Sequence, residues 1–166
     1  MLSAWSNLPD VPLKVVGPLL PGTAEIRHSR SSGAIEFLGS LPHERVLDLM
    51  RSARFIVVPS VWYEAMPMTI LEAFATGAPV IASDLGSLPE LVEDGRTGLL
   101  VAPNDAIELA TKARWAWEHP AEMRRMGELA RNAYEAKHTG QHHLAGLRNV
   151  YAAAQETRKA ATEVDR

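Results

Sequence analysis

Short apolar runs separated by amphipathic stretches set the rhythm of the chain. Leu13–Gly17, Ala34–Gly39, Arg54–Pro59, Pro79–Ser83 and Gly98–Val101 read as strands. The run Phe55-Ile56-Val57-Val58 is continuously apolar. It predicts a strand covered on both faces, as in parallel sheets. Helical periodicity follows Pro42, with Val46, Leu47, Leu49 and Met50 on one side. Further helices are expected over Pro67–Gly77, Leu88–Val92, from Asn104 or Asp105 to Trp117 or Glu118, then Pro120–Lys137 and Gln141–Arg158. Pro42 and Pro67 suit the first helical position. Gly77 suits a left-handed helix end, and Asn104 or Asp105 suits an N-cap. Gly140 is expected to divide the last two helices, and residues 159–166 to fray. Residues 18–33 read as a loop with a helical turn near Thr23–His28, and Ala4–Pro9 as the tail of a helix. Strands alternating with helices predict an α/β fold with a doubly wound parallel sheet, one domain over residues 1–158. Ligands bind such sheets at the carboxyl ends of the strands. The informative loops are then 17–22, 39–42, 59–67, 83–87 and 102–105.

Charge sharpens this picture. The net charge is −3, concentrated in residues 61–100, which carry one basic and six acidic groups. No basic stripe is present, which argues against nucleic-acid binding. The apolar runs are strand-length and do not span a membrane. The start, Met1-Leu2-Ser3-Ala4-Trp5, has no signal-peptide pattern. The chain has no cysteine, which excludes disulfides and thiolate zinc sites and fits a reducing, cytoplasmic setting.

The candidate chemistry lies between Pro59 and Phe74. Glu64 falls in the loop after the third strand, and Glu72 on the second turn of the following helix. On one continuous helix the two would sit about 80° apart. With the helix starting at Pro67, both can face one pocket from different depths. Between them are the first helical amides, which have no intrahelical partner and carry the positive end of the dipole. Met68 and Thr69 offer N–H groups there, and Thr69 a hydroxyl. A diphosphate at this terminus would leave its ribose near Glu72 and a sugar near Glu64, each carboxylate accepting hydroxyl hydrogen bonds. Taken alone, the two glutamates read more readily as solvated charges or caps than as ligand contacts.

The longer pattern is more specific. Pro59-Ser60, Glu64-x7-Glu72-Ala73, Gly77-x-Pro79-Val80-Ile81-Ala82-Ser83-Asp84-x-Gly86-x-x-Pro89-Glu90-Leu91-Val92 and Gly95-x-x-Gly98-Leu99-Leu100-Val101 follow in order. This signature resembles the carboxyl-terminal domain of group 1 retaining glycosyltransferases (family 4, GT-B fold). The likeness runs from Leu13 to Tyr151. It implies a Rossmann-like half of a two-domain enzyme, with extra carboxyl-terminal helices. The whole enzyme would move a glycosyl group from a nucleotide diphosphate sugar to a hydroxyl acceptor. By this resemblance Glu72 holds ribose hydroxyls and Glu64 the donor sugar. Ala65, Met66, Met68 and Thr69 surround the diphosphate, and Gly39, Ser40 and Leu41 lie beside the base. Glu64 is the candidate catalytic residue, with two roles open: nucleophile, or polar contact to the sugar during front-face attack. No cofactor or metal is implied.

The sequence departs from the family pattern in lacking the amino-terminal acceptor domain and the Arg and Lys that precede this domain's first helix. The chain alone is therefore expected to bind its nucleotide weakly and to lack turnover. Membrane association would come only through the other half, at a cytoplasmic face. The last helix, with Val150 and Tyr151, would be disordered, fold onto its own domain, or pack on another copy. A non-catalytic nucleotide-sugar or partner-binding module and half of a sugar-nucleotide epimerase stay open as alternatives. Trp62 and Tyr63 are expected in the core or on the loop rim, Met66 and Met68 as packing residues. His138, His142 and His143 have no carboxylate placed to complete a metal site.

Overall fold

The computed structural model describes residues 1–18 and 35–164. The helical turn expected near Thr23–His28 lies outside them. In chain order the elements are α1 (Leu2–Trp5), β1 (Leu13–Val16), β2 (Ile35–Gly39), α2 (His43–Ser52), β3 (Ile56–Val58) and α3 (Met68–Thr76). Then come β4 (Val80–Ser83), α4 (Leu88–Leu91), β5 (Gly98–Val101), α5 (Ala106–Glu118), α6 (Pro120–Lys137) and α7 (Gly140–Val164).

Among the described residues every strand pairing is parallel, as the alternation of elements predicts. The strands fall into two sheets, however: β1–β2, and β3–β4–β5. Leu13 pairs with Ile35 and Val15 with Phe37, with an irregularity before Val16. In the second sheet Ile56 pairs with Val80, and Val80 with Gly98. No pairing joins β1 to β3 among the described residues.

β4 is the centre of the second sheet, and all four of its residues are buried. Its side chains alternate between two cores, as a strand's period of two requires. Ile81 joins Trp5, Leu13, Leu99 and Leu109 on one face. Val80 and Ala82 join Ile70, Phe74 and Leu88 on the other. Helices cover both faces, which makes the fold doubly wound. β3 departs from expectation. Phe55, Ile56 and Val57 are only half-buried, because a cavity of about 770 Å³ lies along their edge, between β1 and β3.

Several element ends are as read. Gly77 closes α3 in the left-handed region at φ 78°, where a side chain would be strained. Asp105 caps α5, its carboxylate accepting from Ile107 N–H at 2.9 Å and Glu108 N–H at 2.8 Å. Others shift. Pro42 and Pro67 stand one residue before their helices, as N-caps rather than first helical residues. Gly140 begins α7; the break falls instead at His138, the C-cap of α6. The backbone stays helical beyond Arg158, to Val164. α7 thus runs as one helix from Gly140 to Val164, with Leu144, Val150 and Tyr151 exposed. Among the described residues no helix is long and apolar enough to cross a membrane.

Candidate functional site

The junction of β3 and α3 carries the candidate chemistry. Pro67 adopts φ −75°, ψ 95° and supplies no side-chain cap. Ile70 N–H is spent on the Pro67 carbonyl at 3.0 Å. The first turn of α3 holds no acidic residue. The Met68 and Thr69 amides, with the exposed Thr69 hydroxyl, therefore form an uncapped positive helix end.

Glu64 is half-buried in the preceding loop and held at two points. Its Oε1 accepts from the hydroxyl of Ser60, which is buried. Its backbone carbonyl accepts from Ser87 Oγ at 2.6 Å. The turn after β4 thus braces the loop after β3. Gly86 in that turn has φ 59°, and a Cβ there would lie 3.0 Å from Tyr63 Cδ1. Sequence reasoning missed both serines as partners of Glu64. Ser60 carries a weak signal, four residues ahead on the same loop; Ser87, 23 residues away, carries none. Trp62 and Tyr63 are 65% and 80% exposed, so they form the loop rim and not the core. Met66 and Met68 are exposed as well and do not pack as expected, because the helix end turns them away from both cores.

Glu72 lies on the cavity. The same lining holds Ser40, Leu41 and Thr69, and so unites the loop after β2 with the first turns of α3. Gly39, in the left-handed region at φ 67°, accepts the Gly17 N–H at 2.9 Å and ties the ends of β1 and β2 together. Glu64, Ala65, Met66 and Met68 are outside this lining. The two glutamates do not share the cavity as expected: Glu72 faces it, while Glu64 is turned to Ser60. His43, at the start of α2, places Nδ1 4.0 Å from Glu72 Oε1. The spacing of residues 43 and 72 gave no signal for this pair.

Other aromatic, histidine and arginine side chains are engaged with one another. Trp115 stacks on His119 with ring centroids 4.5 Å apart. Arg54 lies 3.8 Å over the Trp117 ring and donates to the Trp117 carbonyl at 2.9 Å. His142 Nδ1 lies 2.8 Å from Thr139 Oγ1. No group of three or more metal-ligating side chains occurs among the described residues.

Known proteins share this sequence pattern and this fold. Glycogen synthase of Mycobacterium tuberculosis is 35% identical over 130 residues, which is 78% of this chain and 31% of that protein. D-inositol 3-phosphate glycosyltransferase of Nocardia farcinica is 36% identical over 74% of this chain and 27% of its own length. The structure of sucrose-phosphate synthase from Thermosynechococcus elongatus superposes with a TM-score of 0.82 at 29% identity, over 94% of this chain and 41% of that one. The chain thus spans about a third of the length of the curated relatives it matches. The family model for group 1 glycosyl transferases matches residues 1–119, and the chain belongs to that family.

Proposed function

We propose that this chain forms the donor side of a retaining glycosyltransferase, which moves a glycosyl group from a nucleotide diphosphate sugar to a hydroxyl acceptor. One observation carries the reading: Thr69, at an uncapped helix end, and Glu72 line the same cavity as Ser40 and Leu41. A diphosphate meets the amides of Met68 and Thr69, ribose hydroxyls meet Glu72, and the base lies along Gly39–Leu41. Glu64, preset by Ser60, meets the sugar from the loop, beside Ala65 and Met66. The two glutamates accept hydrogen bonds and leave the phosphate to the helix end, which separates the acidic side chains from the anion.

Residues 61–100 are strongly acidic, and one helix end supplies only about 0.3–2 kcal/mol toward a nearby charge. The chain alone therefore binds a nucleotide weakly and does not turn over; the acceptor side and further cations come from the rest of the protein. Its setting is the cytoplasm or a cytoplasmic membrane face. The test is calorimetry on the full-length protein with a panel of nucleotide diphosphate sugars, for wild type and Glu72→Gln. Hydrogen bonds to a charged group contribute about 1.5–3 kcal/mol, so the variant should lose roughly 10- to 100-fold in affinity. Unchanged affinity would sink the assignment of Glu72. Product analysis with an acceptor present separates transfer from epimerisation, which needs none.

A further inference from the structure

Glu64 sits on a segment with no regular structure of its own. Residues 59–67 lie between β3 and α3 and form neither helix nor strand. Val61, Trp62, Tyr63 and Met66 are exposed, so side-chain burial does little to fix the segment. Ser60 holds the Glu64 carboxylate, but it belongs to the same loop. Among the described residues, one hydrogen bond ties residues 61–66 to another part of the chain: Ser87 Oγ donates to the Glu64 carbonyl at 2.6 Å.

Ser87 stands at the N-cap of α4. A serine there ordinarily accepts from the second or third amide of its own helix, which satisfies an orphan N–H. Ser87 makes no such bond. Its hydroxyl serves Glu64 instead, so capping α4 does not account for the serine. The turn that carries it is a firm support. Asp84 N–H bonds to the Val101 carbonyl at 2.7 Å, and Leu85 N–H to the Ser83 carbonyl at 2.9 Å. Ser83 and Leu88, on either side of the turn, are buried. Gly86, in the left-handed region, allows a close approach: a Cβ there would lie 3.0 Å from Tyr63 Cδ1 and 3.6 Å from Tyr63 Cα. Two adjacent residues of the turn thus meet two adjacent residues of the loop.

We propose that Ser87 is a positioning residue for the donor sugar. It fixes the Glu64 backbone against the end of β4, while Ser60 engages Oε1 and leaves Oε2 to accept from a sugar hydroxyl. This rests on the reading that Glu64 meets the donor sugar. It extends that reading to a residue 23 positions away, on a turn that meets neither phosphate nor ribose. The consequence is selective. Loss of the Ser87 hydroxyl should weaken contacts to the sugar and spare those to the diphosphate, ribose and base, which lie on α3 and the loop after β2.

Calorimetry on the full-length protein tests this. The probes are the tightest binder from a panel of UDP-, ADP-, GDP- and dTDP-sugars and its parent nucleoside diphosphate. Ser87→Ala should weaken the nucleotide sugar by about 2- to 10-fold, the loss of one neutral hydrogen bond, and leave the nucleoside diphosphate unchanged. That unchanged affinity also shows that the variant is folded. Ser87→Thr, which keeps the hydroxyl, should restore the sugar form. In a Glu64→Gln background Ser87→Ala should have little further effect, because both act through one group. A merely structural role would weaken both probes alike and add fully to Glu64→Gln. Either of those results, or wild-type affinity in Ser87→Ala, overturns the proposal. Failure of the underlying reading shows separately, as wild-type affinity for the nucleotide sugar in Glu64→Gln, and removes the proposal with it.

Discussion

Replacing Gly127 by alanine should destabilise the fold, although alanine is the better helix former. Gly127 lies inside α6, where Gly→Ala ordinarily gains about 1 kcal/mol. Here a Cβ would stand 2.2 Å from the Gly77 carbonyl oxygen and 3.1 Å from Pro79 Cδ. Non-bonded heavy atoms sit comfortably at about 3.5–4 Å, so α6 must retreat by more than an ångström or the Gly77–Pro79 turn must yield. That turn cannot move freely. Gly77 is the left-handed end of α3, and the next strand, β4, is buried throughout. Retreat of α6 would open the packing around Met123, Met126 and Ala130, all buried. Overpacking of this kind costs about 1–3 kcal/mol, and more where backbone is displaced. Here backbone must move, which places the cost at the upper end, about 2–3 kcal/mol, and after the gain in helix propensity the net loss is about 1–2 kcal/mol. For a chain of this size that lowers Tm by roughly 2–8 °C. The control is Gly146→Ala in α7, where a Cβ meets nothing within 4 Å; it should leave the core transition in place and raise helicity. Urea unfolding followed by circular dichroism and by tryptophan fluorescence measures both. A Gly127→Ala variant as stable as wild type would refute the close-approach argument.

Two further substitutions probe local terms. Asp105→Ala removes both cap bonds to Ile107 and Glu108 and should cost about 1 kcal/mol; Asp105→Ser should recover most of it, and equal loss in the two variants would remove the cap from the account. Burial, together with nearby Lys137 and His142, holds the His138 imidazolium below its ordinary range. The unfolded chain therefore takes up the proton first, and stability falls as pH drops through about 6.5. His138→Gln should flatten the Tm difference between pH 7.5 and 5.5, and an unchanged difference would exclude this group. The Arg114 guanidinium lowers the Asp10 carboxyl, which acts in a separate, more acid window: its contribution is present above the ordinary carboxylate pKa and lost as pH falls through the lowered one.

The residues that the sequence pattern reads well are those whose environment is built by their own neighbours. Gly77 ends a helix because of its own backbone, and Asp105 caps a helix through amides two and three residues on. β4 reads as a strand, and the strands on both its sides belong to this chain. What the pattern leaves unread or misreads shares a different cause. Gly127 and Gly146 are alike in sequence, each a glycine within a helical run; only the turn packed against Gly127 separates them. Ser87 reaches Glu64 across a turn that no spacing rule connects to it. Phe55, Ile56 and Val57 illustrate the point most clearly. An apolar run records that a segment is suited to cover on both faces and both edges, not that the cover is present. Here helices supply the faces and β4 one edge, while the other edge borders a cavity as long as the strand. The same cavity is lined by Thr69 and Glu72, so the half-burial of this apolar run and the exposure of the residues proposed to meet the donor have one physical cause, the open edge of β3.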